Sequence, residues 1–466
     1  MSARAQSHRE RDHRLDVAAR AVRREKNTHV ASILTLAMMN VSTSTIRTPL
    51  TTNQIRGFWA AWGGWALDGM DSFIYALVLT PALTELLPNS GIPATPGNVG
   101  FYGSVLFALF LIGWGLSMVW GPIADRFGRV RTLALTILCY SAFTFAAALA
   151  TNLWHLAAFR LLAGVGIGGE WAIGGTYVAE SWPEDRRRMG AGYLHTGYYF
   201  GFFLAAIANY FIGARYGWRW MFAIGGTPAL LVTFIQYAVS ESSTWQKQDR
   251  RRPTMRSAFA ELFSPQYAPR TWLNSLYLLV SIVGLWAGSV YVPTSVTQIA
   301  LREAYSTADA ARLASYGTMV LSAGTIGGCL VLPLLADAYG RRVTLGLYFA
   351  TMLVSIAVGF GYVFYLPHAL TPFMIVLFIL GVGGANFAMY TLWLPEQYAT
   401  DCRASAFAFA TSVGRFAGAG ITFLVGAGVQ HFHTIGTPVA LTSLAFAVGL
   451  LLLPFGEETR GKPLPA

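Results

Sequence analysis

Charged side chains are scarce in this chain: 12% of its 466 residues are Asp, Glu, Lys or Arg, against about 25% in soluble domains. Hydrophobic residues make up 54% and the mean hydropathy is +0.47. That balance excludes a soluble globule and predicts a polytopic membrane protein. Cysteine is nearly absent. Cys139, Cys329 and Cys402 share no disulfide or metal-ligand spacing, and the first two fall inside apolar stretches, so they read as small packing residues. The chain also lacks a phosphate-binding loop, a metal-ligand cluster, a nucleophile motif and any soluble domain to house one, so no enzyme, metal or cofactor is expected. The formal charge of +11 does not imply nucleic acid, because residues 1–56 alone carry ten Lys/Arg against four Asp/Glu.

What the chain does have is length in its apolar runs. About twelve segments of roughly 18–25 residues are long enough to cross about 30 Å of hydrocarbon as helices. They lie near 58–80, 100–120, 132–150, 154–180, 191–213, 218–239, 271–298, 314–336, 343–366, 372–394, 405–429 and 437–455. The expected fold is an all-α polytopic membrane protein, since lipid-exposed backbone must satisfy its own hydrogen bonds. The longest polar interval, 240–270, separates an N-terminal six-helix bundle (57–239) from a C-terminal one (271–456), with tails at 1–56 and 457–466. The apolar stretch Val30 to Met39 is too short to span, and no small-residue cleavage site follows it. It reads as part of a basic cytoplasmic tail, or as residues ahead of a true start at Met38 or Met39. Arg126, Arg129 and Arg131, Arg186 to Arg188, Lys247 and Arg250 to Arg252, Arg341 and Arg342, and Arg403 all fall on alternate loops. The positive-inside rule therefore places both termini in the cytoplasm.

The two halves repeat. Gly121 to Val130 recurs as Pro333 to Arg342, with Asp125, Gly128 and Arg129 matching Asp337, Gly340 and Arg341. Glu180 to Arg188 recurs as Glu396 to Ala404, and Gly164-Val165-Gly166 as Gly381-Val382-Gly383. Parallel repeats of this kind build carriers in which two bundles rock about a site at mid-membrane.

Ionisable residues inside such helices are costly and mark function. Asp68 and Asp71 sit mid-segment in the first run, at i, i+3 on one helical face. Glu170 lies mid-helix after the glycine run Gly164 to Gly169. Arg415, about ten residues into the eleventh segment among small side chains, offers a planar fork that matches a carboxylate. It is the expected substrate anchor, or else a structural partner for one of the acids. Arg160 is nearer the segment end and is expected either to contact substrate or to snorkel outward. His195, Asn209, Gln236, Gln298 and Asn386 are polar groups at membrane depth that need partners. Trp62, Trp65, Tyr75, Tyr198, Tyr199, Trp286 and Tyr390 line the path or pack. His431 and His433 are too few for a metal site.

The loop pattern G-x-x-x-D-R-x-G-R-x-R at Gly121 to Arg131 and R-x-x-x-G-x-G at Arg160 to Gly166 resemble the major facilitator superfamily, from Gly57 to the C-terminus. Leu67 to Asp71, Ala76 to Thr80 and Thr176 to Pro183 further resemble the sialic acid and monocarboxylate proton symporters, with aromatic acid symporters as near relatives. Pro333, where Gly is usual, and Met70, where an aromatic is usual, depart from the pattern. The resemblance implies proton-coupled uptake of a small organic anion across the inner cell membrane by a carrier that commonly works as a monomer. It also implies that Asp125, Arg129 and Glu180, with Asp337, Arg341 and Glu396 as their mirror image, latch a cytoplasmic gate. Asp68, Asp71 and Glu170 would carry the coupled proton, with Asp71 leading. A neutral-solute carrier, an exporter or a non-transporting sensor are the competing readings.

Overall fold

The computed structural model describes residues 48–246, 254–285, 291–432 and 434–465. The tail before residue 48, Lys247 and Arg250 to Arg252, Trp286, His433 and the Gln236 side chain lie outside the described residues. From Leu50 onward the chain forms one unit. Helix 1 (Thr52–Leu86) opens on a capping box in which Thr51 and Gln54 satisfy each other's backbone N–H groups, so it begins a few residues before the expected bundle boundary. Helix 2 (Pro96–Leu116) continues through a 3-10 turn into Trp120–Phe127. Helices 3 (Arg129–Ala148), 4 (Leu153–Ser181) and 5 (Arg187–Ala208) follow, the last running into a π-helical turn at Asn209–Gly213. Helix 6 is two pieces, Trp218–Gly225 and Ala229–Ala238, interrupted before Pro228.

The second half repeats the plan. Helix 7 comprises Ala268–Leu285 and Tyr291–Arg302, helix 8 is Thr307–Tyr339 and helix 9 is Arg341–Gly361. Helix 10 comprises Leu370–Gly384 and Asn386–Trp393, helix 11 is Arg403–Phe432, and helix 12 comprises Gly436–Leu441 and Leu444–Leu452. Seven of the described helices are long and apolar enough to cross a membrane as they stand.

Helix pairing is internally symmetric. Helix 2 packs on helix 4, and helix 8 on helix 10. At the first crossing a Cβ on Gly113 would strike the Leu161 carbonyl, and one on Gly164 the Phe110 carbonyl. At the second, Gly324 meets the Phe378 carbonyl and Gly381 the Leu321 carbonyl in the same way. Only residues without a side chain let backbones approach this closely, the usual means of association where lipid removes the hydrophobic drive between helices. The halves meet along a seam where helix 11 packs on helices 2 and 4, and helix 5 on helices 8 and 10.

Candidate functional site

Three carboxylates and two guanidiniums converge inside the bundle, all of them fully or nearly fully buried: Asp68, Asp71, Glu170, Arg160 and Arg415. Helix 1 contributes two acids because i, i+3 spacing brings both to its inner face. Asp71 Oδ2 pairs with Arg160 Nη1 of helix 4 at 3.4 Å. The Arg160 guanidinium also lies 4.6 Å from the Tyr75 ring centroid, 4.4 Å from Phe110 and 5.8 Å from Phe222. Rings on three helices thus hold it where its charge is met by Asp71 and by aromatic faces. Arg160 therefore does not snorkel outward; its Nη1 is taken by Asp71, while its Nε and Nη2 make no hydrogen bond.

Arg415 is arranged differently. Helix 11 brings it across the seam from the other half, with its guanidinium 3.4 Å from the Trp114 ring centroid of helix 2. Its Nε and Nη1 make no hydrogen bond. Asp68, Tyr198 and His195 lie within its electrostatic reach. Asp68 accepts a 3.5 Å hydrogen bond from Ser72 Oγ, and its Oδ2 has no partner. Glu170 has no hydrogen bond to either carboxylate oxygen. Around these charges stands an aromatic wall. Trp65 stacks on Trp171 at 5.7 Å and on Tyr198 at 4.8 Å, while His195 lies parallel to Phe387 of helix 10 at 6.1 Å. Trp171 also crosses the seam, donating from Nε1 to Thr391 Oγ1 at 3.0 Å.

On the membrane face that carries the repeated loops, the seam is sealed by charge. Arg129 pairs with Asp125 at 3.1 Å and with Glu180 at 2.9 Å, so the three expected residues do come together. The cluster also reaches across. Asp125 accepts from the Ala404 and Ser405 backbone N–H groups and the Ser405 hydroxyl at the start of helix 11. Placing a carboxylate on the unpaired first N–H groups of a helix is favourable in itself. Arg403, buried in the second half, donates to Glu180 at 2.8 Å and to the Pro465 carbonyl of the C-terminal tail at 2.6 Å. In the mirror cluster Arg341 pairs with Glu396 at 2.7 Å, but Asp337 is half exposed and pairs with Arg188 of helix 5 at 2.5 Å. The expected mirror triad is thus a pair plus a second bridge across the seam.

Residues 61–423 match the family model of the Major Facilitator Superfamily. The chain belongs to that superfamily. As a major facilitator it is 32% identical to the probable 4-methylmuconolactone transporter of Cupriavidus pinatubonensis, over 88% of this chain and 91% of that protein. It is 29% identical to the niacin transporter NiaP of Acinetobacter baylyi, over 87% and 94%. The proton:xylose symporter XylE superposes with a TM-score of 0.70 at 19% identity, covering 88% of this facilitator and 98% of XylE, a likeness of fold.

The remaining expected residues scatter. Asn386 is buried at the break in helix 10, donating to the Gly383 carbonyl at 2.8 Å and leaving its Oδ1 without a partner. Asn209 begins the π turn at the end of helix 5, and Gln298 is on the exposed side of helix 7. Neither belongs to the central cluster. Sequence reasoning missed Tyr140, whose buried hydroxyl has no hydrogen bond and which lies within electrostatic reach of Glu170, Asp68 and Asp71. It also missed Glu241 and Glu458. Glu241 accepts from the backbone N–H groups of Arg129, Val130 and Arg131 at the start of helix 3. Glu458 does so from Arg341 and Arg342 at the start of helix 9. Next to them, Ser242 donates to Glu180 and Thr459 to Glu396. The available signal was the recurrence of Glu241-Ser242 as Glu458-Thr459 after helices 6 and 12.

These two caps respond to pH in opposite senses. Burial pushes the Glu241 carboxyl above its usual range despite three backbone donors, whereas at Glu458 partial burial is outweighed by the backbone donors of Arg341, Arg342 and Arg460 and by the Arg341 charge, which hold the carboxyl below it. A depressed carboxylate stabilises the fold at pH values above its unfolded pKa, and loses that contribution as pH falls through the folded pKa; a raised one does not. Glu458→Gln is therefore expected to lower stability by about 1 kcal/mol near neutral pH, with the deficit vanishing in acid, while Glu241→Gln costs less. Thermal unfolding of both variants against pH checks this, and equal deficits at neutral pH would contradict it.

Proposed function

We propose that this facilitator takes up a small organic anion together with a proton, by alternating access about the central cluster. The observation that carries the reading is Arg415, a buried guanidinium at the seam with two unpaired nitrogens and, unlike Arg160, no carboxylate at ion-pair distance among the described residues. A substrate carboxylate fits that fork, and aromatic rings from both halves stand beside it, favouring a planar or ring-bearing acid. The relatives named for 4-methylmuconolactone and niacin are consistent with such a cargo.

Coupling follows from competition for one cation. In the empty site Asp68 faces Arg415; when the substrate carboxylate takes the fork, Asp68 loses its counter-charge and binds a proton instead. Asp71, held by Arg160, keeps its charge, so the cycling proton is assigned to Asp68 rather than to Asp71. In this reading His195, set against Trp65, Trp171 and Phe387, and Asn386, with its unpaired Oδ1, serve substrate orientation. The arginine-rich loops favour a cytoplasmic position for the sealed face by the positive-inside rule; in this reading both termini lie inside, and the gate of Asp125, Arg129, Glu180, Arg341 and Glu396, with Arg188–Asp337, closes the inner mouth of a carrier in the inner cell membrane.

Whole cells expressing the chain are expected to accumulate labelled nicotinate or another aromatic monocarboxylate, and a protonophore should abolish accumulation. Arg415→Lys keeps the charge but loses the fork, and is expected to reduce uptake at least about tenfold, the value of roughly 1.4 kcal/mol in binding. Wild-type accumulation that persists with the protonophore, or that favours a neutral sugar, would overturn the reading.

A further inference from the structure

The central cluster does not balance. Three carboxylates face two guanidiniums, whereas the sealed gate matches Asp125 and Glu180 with Arg129 and Arg403. Asp71 has Arg160, and Asp68 has Arg415 within electrostatic reach. Glu170 has neither cation. It is 1% exposed, and both its oxygens lack a hydrogen-bond partner. From helix 1 it is faced by the backbone at Gly64, where a Cβ would strike its Oε1, and by Asp68; from helix 3 by Tyr140. Its charged neighbour is thus another acid. Taking an ion out of water without a partner costs several kcal/mol. A proton on the carboxyl removes that cost and supplies a donor where Asp68 Oδ2 and Tyr140 Oη lack partners. A metal cation is a poorer fit, because among the described residues no group of three or more His, Cys, Asp or Glu side chains, Asp68, Asp71 and Glu170 included, is placed to hold one.

We propose that Glu170 keeps a resident proton through the transport cycle, distinct from the proton exchanged with substrate. With Glu170 neutral, the empty site carries two negative and two positive charges. The loaded site does too: the substrate anion replaces Asp68 as partner of Arg415, and Asp68 takes the second proton from the outer solution. Both forms that cross the sealed arrangement are neutral, and each cycle carries one proton with one monovalent anion and moves no net charge. This stoichiometry rests on the anion–proton reading of the site; the protonation of Glu170 in the empty carrier does not.

Infrared spectroscopy of the purified full chain without substrate, at about pH 7 and about pH 8, well above the ordinary carboxylate range, tests the resident proton. The carbonyl stretch of a buried protonated carboxylic acid is expected at both values, lost in Glu170→Gln and kept in Asp68→Asn. Absence of the band in the wild-type protein, its survival in Glu170→Gln, or its displacement by added sodium at constant pH would overturn the proposal. In proteoliposomes with labelled nicotinate as probe, a pH gradient is expected to drive accumulation by the wild-type protein, and a potassium diffusion potential alone to drive none. Accumulation driven by potential alone would overturn the stoichiometry. Failure to carry nicotinate or any aromatic acid would count against the transport reading, while an intact infrared result would still support the proton on Glu170.

Discussion

Arg160→Met is expected to be among the most damaging single substitutions in this protein, lowering stability by about 3–5 kcal/mol. The guanidinium is fully buried, pairs with Asp71 at 3.4 Å and lies against Tyr75, Phe110 and Phe222. Methionine fills much of the same volume, so the loss comes less from packing than from Asp71, left as an uncompensated buried carboxylate. Two consequences separate this account from simple cavity formation. The double variant Asp71→Asn/Arg160→Met is expected to recover most of the loss, since breaking a buried pair is costly while replacing both members is often near neutral. Arg160→Lys is expected to recover only part, because the ring contacts suit a planar cation. Thermal unfolding of the wild type, of Asp71→Asn and Arg160→Met, and of the double variant gives the coupling directly, and additive losses in the double variant would refute the pairing as the cause.

The second large effect is expected at Arg403. Its side chain donates to the Pro395 and Tyr398 carbonyls, to Glu180 and Thr400, and to the Pro465 carbonyl, so one buried cation ties helix 11, helix 4 and the tail. Arg403→Ala removes a bond across the seam and strips Glu180 of one of its two cations. The closed arrangement is a two-state element, and removing about 3 kcal/mol from one state moves its population by roughly a hundredfold. Ser412, buried further along helix 11, serves as reporter. In a background without Cys139, Cys329 and Cys402, a Ser412→Cys probe is expected to become reactive to an impermeant thiol reagent applied from the Arg403 side. Unchanged labelling in a variant that remains folded would show that Arg403 does not hold the seam shut. Arg403→Lys is expected to fall between, because an ammonium retains the charge but cannot span the same carbonyls and carboxylate.

The sequence made some of this plain and hid the rest for definable reasons. Helix number and the two-half plan follow from apolar run length and from the recurring loop motif, both properties of the chain read in one dimension. The buried acids Asp68, Asp71 and Glu170 and the cation Arg415 stood out because each is costly in hydrocarbon. Pairing was not legible, because hydropathy gives depth along a helix and not rotation about its axis. Arg160, seven residues past Leu153, reads as close enough to the membrane edge to snorkel, yet its rotation aims it at Asp71. Glu241 and Glu458 escaped notice for the opposite reason: they sit in polar loops where an acid attracts no attention, and only the fold shows that each closes the start of a helix in its own half. Asp337 shows the limit of reasoning from repeats, since the same motif residue that is buried at Asp125 is half exposed here and serves a different partner.

The glycine crossings of helices 2 with 4 and 8 with 10 bear on how such a carrier moves. Backbones in direct contact have no soft side chains between them to yield, so each half behaves as a stiff lever and not as six sliding rods. A displacement where Arg415 meets Trp114 on helix 2 is then expected to pass to helix 4, which carries Glu180 at the mouth, with little loss at the crossing. Enlarging Gly113 or Gly324 would insert a compliant joint into the lever, and its signature would be a carrier that still binds its cargo while its gate no longer answers.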